Sequence, residues 1–144
     1  MKTPPETGMP RRKKMAFRVL FFLYVAAVLF LCFARFDNAP SVDLGLLGIS
    51  TDKLVHFAMF CPFPVLAYLS FNQFAGSTKA TLWLMAASLV AGLLLAFGTE
   101  WGQAHLTSYR MGDSLDFVAD TMGLLTASVL VLVWNVSQQK KQQK

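Results

Sequence analysis

Between Glu100 and Gly123 the chain holds four of its eight acidic residues, one of its two histidines and an arginine, set between two long apolar runs. Asp113, Asp116 and Asp120 stand at i, i+3 and i+7, so a helix starting near Asp113 carries all three on one face. Asp120 then lies about 10 Å along the axis from Asp113, at roughly 1.5 Å per residue. Earlier in the chain, Asp52 and His56 stand at i, i+4 with Lys53 between them. Carboxylates inside apolar helices are costly, so a partner or a task is expected for them. Two chemistries fit these residue types. His56 with Glu100, Asp116 and Asp120 suits acid–base work or a hard or borderline metal ion. Lys53 and Arg110, beside the free N–H groups of helix N-termini, suit an anion such as phosphate or carboxylate. The sequence has no HExxH, nucleophile elbow, phosphatase signature or tight His/Cys spacing, so no catalytic residue is assigned and no metal or cofactor is expected.

The elements that position these residues follow from hydropathy. The 144 residues are one domain's worth, and at 55% hydrophobic the chain is too apolar for an ordinary soluble domain. Met15 to Ala34, Leu54 to Phe71, Ala80 to Gly98 and Leu115 to Val136 (spans 15–34, 54–71, 80–98 and 115–136) read as four transmembrane helices. The expected fold is therefore all-α and polytopic, with a membrane domain at 15–136 between basic tails at 1–14 and 137–144. A cleaved signal peptide competes for the first span. The apolar run is long for an h-region and no small-x-small site follows it, so the segment is read as retained. Ser50, Thr51 and Asp52 are N-cap types before the second span, and Pro62 and Pro64 are expected to kink or break it. Residues 35–51 read as a loop, and Glu100 and Gln103 fall beyond the third helix. His105 is read as a solvated loop residue. Ser88, Gly92 and Ala96 match a stripe at Ala119, Gly123 and Ala127, predicting that the third and fourth spans pack along small residues. Cys32 and Cys61, inside apolar runs, read as small buried apolar side chains.

Charge sets the orientation. With four spans, ten of the 13 basic residues share the side of the two termini, and seven of the eight acidic residues share the other. The positive-inside rule places both termini in the cytoplasm, and the acidic cluster faces outward. The basic residues flank apolar spans rather than forming a stripe, which excludes a nucleic-acid partner.

Asp52-Lys53-x-x-His56-Phe57, Glu100-x-x-Gln103 and Arg110-x5-Asp116-x3-Asp120-x-x-Gly123 together resemble the VanZ-like membrane proteins. The resemblance covers about residues 50–135. It departs from the pattern at Asp120, where an asparagine is usual, and at His105, where an apolar residue is usual. The resemblance implies a multi-pass protein of the bacterial inner membrane, acting in the cell envelope, and a link to susceptibility to the glycopeptide teicoplanin. The expected role is non-enzymatic: recognition of an anionic envelope lipid or amphiphile, such as an envelope precursor lipid. Its site would be Asp52, Lys53, His56, Glu100, Gln103, Arg110, Asp116 and Asp120. The alternatives are an intramembrane hydrolase or transferase using the His/Glu/Asp cluster, and a charge cluster that only locks the helices together. A proton-coupled transporter is disfavoured, because the sequence shows no second polar set at the inner ends of the spans.

Overall fold

The protein is described by a computed structural model covering residues 10–34, 43–44, 49–72, 77–108 and 112–142. Helix α1, Arg11–Phe33, begins after Pro10, whose carbonyl accepts from the Lys13 and Lys14 N–H groups at 2.9 and 3.2 Å. It starts before the predicted span because nothing in Arg11–Lys14 interrupts a helix. Within the loop expected at 35–51, Asp43–Leu44 (β1) and Ile49–Ser50 (β2) form a minimal antiparallel pair, Asp43 opposite Ser50.

The second span is two consecutive helices, α2 (Thr51–Phe60) and α3 (Pro62–Phe71). Ser50 occupies the N-cap position of α2, but its side chain makes no capping bond, so the predicted side-chain cap is absent. The break falls where the prolines predict it. Pro62 and Pro64 have no N–H to give the carbonyls one turn back, and Pro62 takes the first position of α3, where no donor is needed. Cys61 keeps helical dihedrals, and its N–H still bonds Phe57 O at 3.0 Å.

Helix α4, Thr78–Leu106, is capped by Ser77 Oγ, which accepts the Ala80 N–H at 3.2 Å. It runs past the predicted end at Gly98, so Glu100 and Gln103 lie inside the helix and not beyond it. His105 is also helical, in the last turn. A polar residue ends a helix only if it must reach water, and Glu100 and Gln103 are buried against other helices instead. Helix α5 spans Ser114–Gln142. Asp113 precedes it as a cap: its side chain accepts the Leu115 N–H at 2.9 Å, and its carbonyl accepts from Asp116 at 3.0 Å. The predicted three-carboxylate face therefore begins one residue outside the helix.

Helix α5 packs on α2, α3 and α4, while α1 lies mainly against α3. Val28, Cys32, Phe60, Phe63, Ala96 and Leu124 form the main apolar core, and Tyr68, Met85 and Val131 a second one nearer the other end. Helices α4 and α5 do pack together, but not stripe on stripe. Gly92 opens space for the Leu124 side chain, whose Cδ2 lies 2.6 Å from where a Cβ would stand. Gly123 faces α2 instead, and a Cβ there would lie 2.4 Å from Phe57 O. Large apolar side chains such as Phe22, Phe30, Leu94 and Leu130 point outward. Four helices (α1, α2 with α3, α4, and α5) are long and apolar enough to cross a membrane.

Candidate functional site

Three helix ends meet at one end of the bundle: the N-termini of α2 and α5 and the C-terminal turns of α4. Helix α2 contributes His56 from its second turn, α4 contributes Glu100, and α5 contributes Asp116 and Asp120. All four side chains are buried, and Asp120 is wholly inaccessible. The close approach that Gly123 allows between α5 and the α2 backbone brings Asp120, one turn earlier, against His56.

The imidazole is the centre of the cluster. His56 Nδ1–H donates to Asp120 Oδ1 at 3.0 Å, and the same nitrogen lies 3.9 Å from Glu100 Oε1. On the opposite side of the ring, Nε2 lies 3.7 Å from Asp116 Oδ2. Glu100 is anchored through its other oxygen, Oε2, which accepts the Asp113 N–H at 3.0 Å. Two buried carboxylate oxygens of the cluster, Glu100 Oε1 and Asp120 Oδ2, have no hydrogen-bond partner among the described residues.

Lys53 forms the rim. Its Nζ lies 3.0 Å from Asp113 Oδ2 and 3.5 Å from Asp116 Oδ1, and a quarter of its side chain is exposed. The Leu115 N–H, with Lys53 beside it, holds the Asp113 carboxyl below the usual carboxylate range. Asp52 is exposed on the first turn of α2, and its carboxylate shares a neighbourhood with His56 and Asp116. Chemically, a buried cluster of one imidazole and three carboxylates can exchange protons or surround a cation, with a lysine at its rim for an anionic group.

Of the residues expected here, His56, Glu100, Asp116 and Asp120 converge, with Lys53 and Asp52 at the rim. Gln103 does not join them: it is buried, and its Nε2 donates to Cys32 O at 2.8 Å, which ties α4 to α1. Arg110 lies outside the described residues. His105 is exposed, as expected of a solvated residue, but it stacks on Trp101 with ring centroids 4.7 Å apart.

A second polar group lies near the other end of the bundle, against the expectation that the spans lack one there. Asn135 Nδ2 donates to Tyr68 OH at 3.0 Å, Gln139 Nε2 donates to Asn135 Oδ1 at 3.2 Å, and Thr78 Oγ1 donates to Gln139 Oε1. These are single polar residues on different helices, so no spacing along the chain announces them. No family model, curated protein or solved structure matches this chain.

Proposed function

We propose that this is a VanZ-like protein of the bacterial inner membrane, with both termini in the cytoplasm and the His56 cluster toward the outer face. Its function on this reading is to recognise an anionic envelope lipid or amphiphile. The observation that carries the reading is Lys53, a half-buried cation fixed by Asp113 and by Asp116, whose other carboxylate oxygen faces buried His56. A carboxylate-ordered lysine between two helix N-termini can receive an anionic head while the tail stays among the outward apolar side chains. The polarity of the basic tails supports the orientation. The same resemblance extends the proposal to teicoplanin susceptibility, which a strain lacking the protein would reveal as a changed inhibitory concentration.

Native mass spectrometry of the detergent-purified protein tests the reading. Wild type should retain a lipid with a phosphate head in preference to a neutral diacylglycerol, and Lys53→Ala and Arg110→Ala should each lose that preference while remaining folded. Equal retention of both lipids by wild type and variants would remove the proposal.

A second reading, acid–base chemistry on the bound amphiphile, is favoured by the His56–Asp120 contact and the unpartnered Glu100 oxygen. Hydrolysis of a phosphate-ester lipid that disappears in Glu100→Gln, with lipid retention intact, would support it.

A further inference from the structure

We infer that His56, Glu100 and Asp120 form a binding site for one divalent transition-metal ion such as Zn2+ or Mn2+. One nitrogen and two carboxylate oxygens from these residues lie within 4.8 Å of one another, and all three side chains are buried. The spacing suits an ion. Bonds of about 2.0–2.1 Å in tetrahedral geometry separate neighbouring donors by roughly 3.3–3.4 Å. From His56 Nδ1, Asp120 Oδ1 is 3.0 Å away and Glu100 Oε1 is 3.9 Å away, on either side of that value.

An independent observation points to a missing occupant. Among the described residues, Glu100 Oε1 and Asp120 Oδ2 are buried without a hydrogen-bond partner, which is costly for a carboxylate in apolar surroundings. A dication held by His56 Nδ1, Asp120 Oδ1 and Glu100 Oε1 supplies the missing partner of the Glu100 oxygen and cancels the charge of both carboxylates. An imidazole with carboxylates is a donor set for borderline ions, in contrast to the all-oxygen shells of calcium and magnesium.

The atoms that would not touch the ion are already held. Glu100 Oε2 accepts the Asp113 N–H at 3.0 Å, which leaves Oε1 turned toward the imidazole. With the ion on Nδ1, the ring proton moves to Nε2, which faces Asp116 Oδ2 at 3.7 Å. That is the carboxylate–histidine–metal arrangement, in which the outer carboxylate fixes the ring and strengthens the bond. Asp116 is a positioning residue in this arrangement, and Lys53 in turn neutralises it. Three protein donors leave a further position on the ion open. The ion does not depend on lipid recognition, since Lys53 makes no bond to it.

The test is elemental analysis of the full chain, purified without chelators, stripped with EDTA and then offered Zn2+ or Mn2+ alone. Wild type should bind about one ion per chain. Asp120→Asn, which puts at that position the amide usual in the VanZ-like pattern, should fold and bind none; Glu100→Gln should behave alike. Asp116→Asn should bind about 10–100-fold more weakly. Lys53→Ala should keep the ion even where it loses phosphate-lipid preference, so the two proposals fail separately. A wild type that binds neither ion after stripping, or an Asp120→Asn protein that binds as tightly as wild type, would overturn the site.

Discussion

At the scale of single residues, the site is decided by who remains charged when a partner is removed. His56 Nδ1–H is the sole hydrogen bond of the buried Asp120 side chain among the described residues. In His56→Ala the Asp120 carboxylate keeps its burial and loses that bond, and the expected loss of stability is about 3 kcal/mol. Asp120→Asn leaves an amide oxygen that still accepts the Nδ1–H and leaves no stranded charge, so about 1 kcal/mol is expected. Lys53→Ala at the part-exposed rim should cost no more than about 1 kcal/mol, because solvent screens the pair. Unfolding of the purified variants by heat in one detergent gives the order, and a His56→Ala protein as stable as Lys53→Ala would show that Asp120 is already neutral. Asp113 makes a separate, pH-dependent contribution. Its folded carboxyl is depressed below the ordinary value of 3.8, so its ionised form stabilises the fold above that value. The contribution fades as pH falls below about 4, and Asp113→Asn should flatten that part of the stability curve measured by thermal unfolding. These roles differ in how readable they were. The i, i+4 and i+3, i+7 spacings marked His56, Asp116 and Asp120, because a helix repeats its face at those intervals. Nothing in the spacing separated Gln103 from Glu100, since which side of α4 meets α1 depends on a neighbour far away in the chain.

At the scale of elements, the decisive contact is α2 against α5, and it depends on a missing Cβ. At Gly123 the added carbon would sit 2.4 Å from Phe57 O, a backbone atom next to the proline break that cannot swing aside as a side chain can. At Gly92 the obstacle is the Leu124 side chain at 2.6 Å, which can change rotamer, and at Gly98 nothing lies within 4 Å. Gly123→Ala should therefore destabilise the protein by about 2–3 kcal/mol. It should also weaken the His56–Asp120 contact one turn away. Gly92→Ala should cost less, and Gly98→Ala should be neutral; all three are read by thermal unfolding in detergent. Equal effects at Gly123 and Gly98 would mean that α2 and α5 do not approach so closely. The four apolar spans and the break at Pro62 were legible because hydropathy and missing N–H donors act locally. The partner of each small-residue stripe was not. Glycine and alanine permit close approach without naming what approaches, so Gly123 met α2 rather than α4. The ends of α4 were misplaced for a related reason: Glu100 and Gln103 look like loop residues until other helices bury them.

At the scale of the whole molecule, the polar groups are sorted by end. The His56 cluster occupies the end where α2 and α5 begin, and the Tyr68–Asn135–Gln139 group lies toward the end where α5 finishes. Between them the buried residues of α4 and α5 are largely small or apolar, with Ala96, Leu124 and Ala127 in the middle. A protein that recognises a ligand from one leaflet needs one rich polar end and an apolar middle, whereas a carrier needs polar groups throughout. The two ends are separated by α4, whose 29 residues span about 44 Å at 1.5 Å per residue. Ser77 and Ser108 flank that helix and are both exposed, which makes them reporters of opposite sides. In a Cys32→Ala, Cys61→Ala background, a cysteine at Ser108 should react with a membrane-impermeant maleimide in intact cells. A cysteine at Ser77 should react only after the cells are opened. Ten of the 13 basic residues lie on the side that Ser77 shares with the two termini, which predicts this order because basic flanks resist translocation. The reverse labelling would put the His56 cluster on the cytoplasmic side, where the ligand would have to come from the inner leaflet and an envelope role would lose its footing. Labelling of both positions in intact cells would mean that α4 does not cross the membrane, and the four-span topology would fall with it.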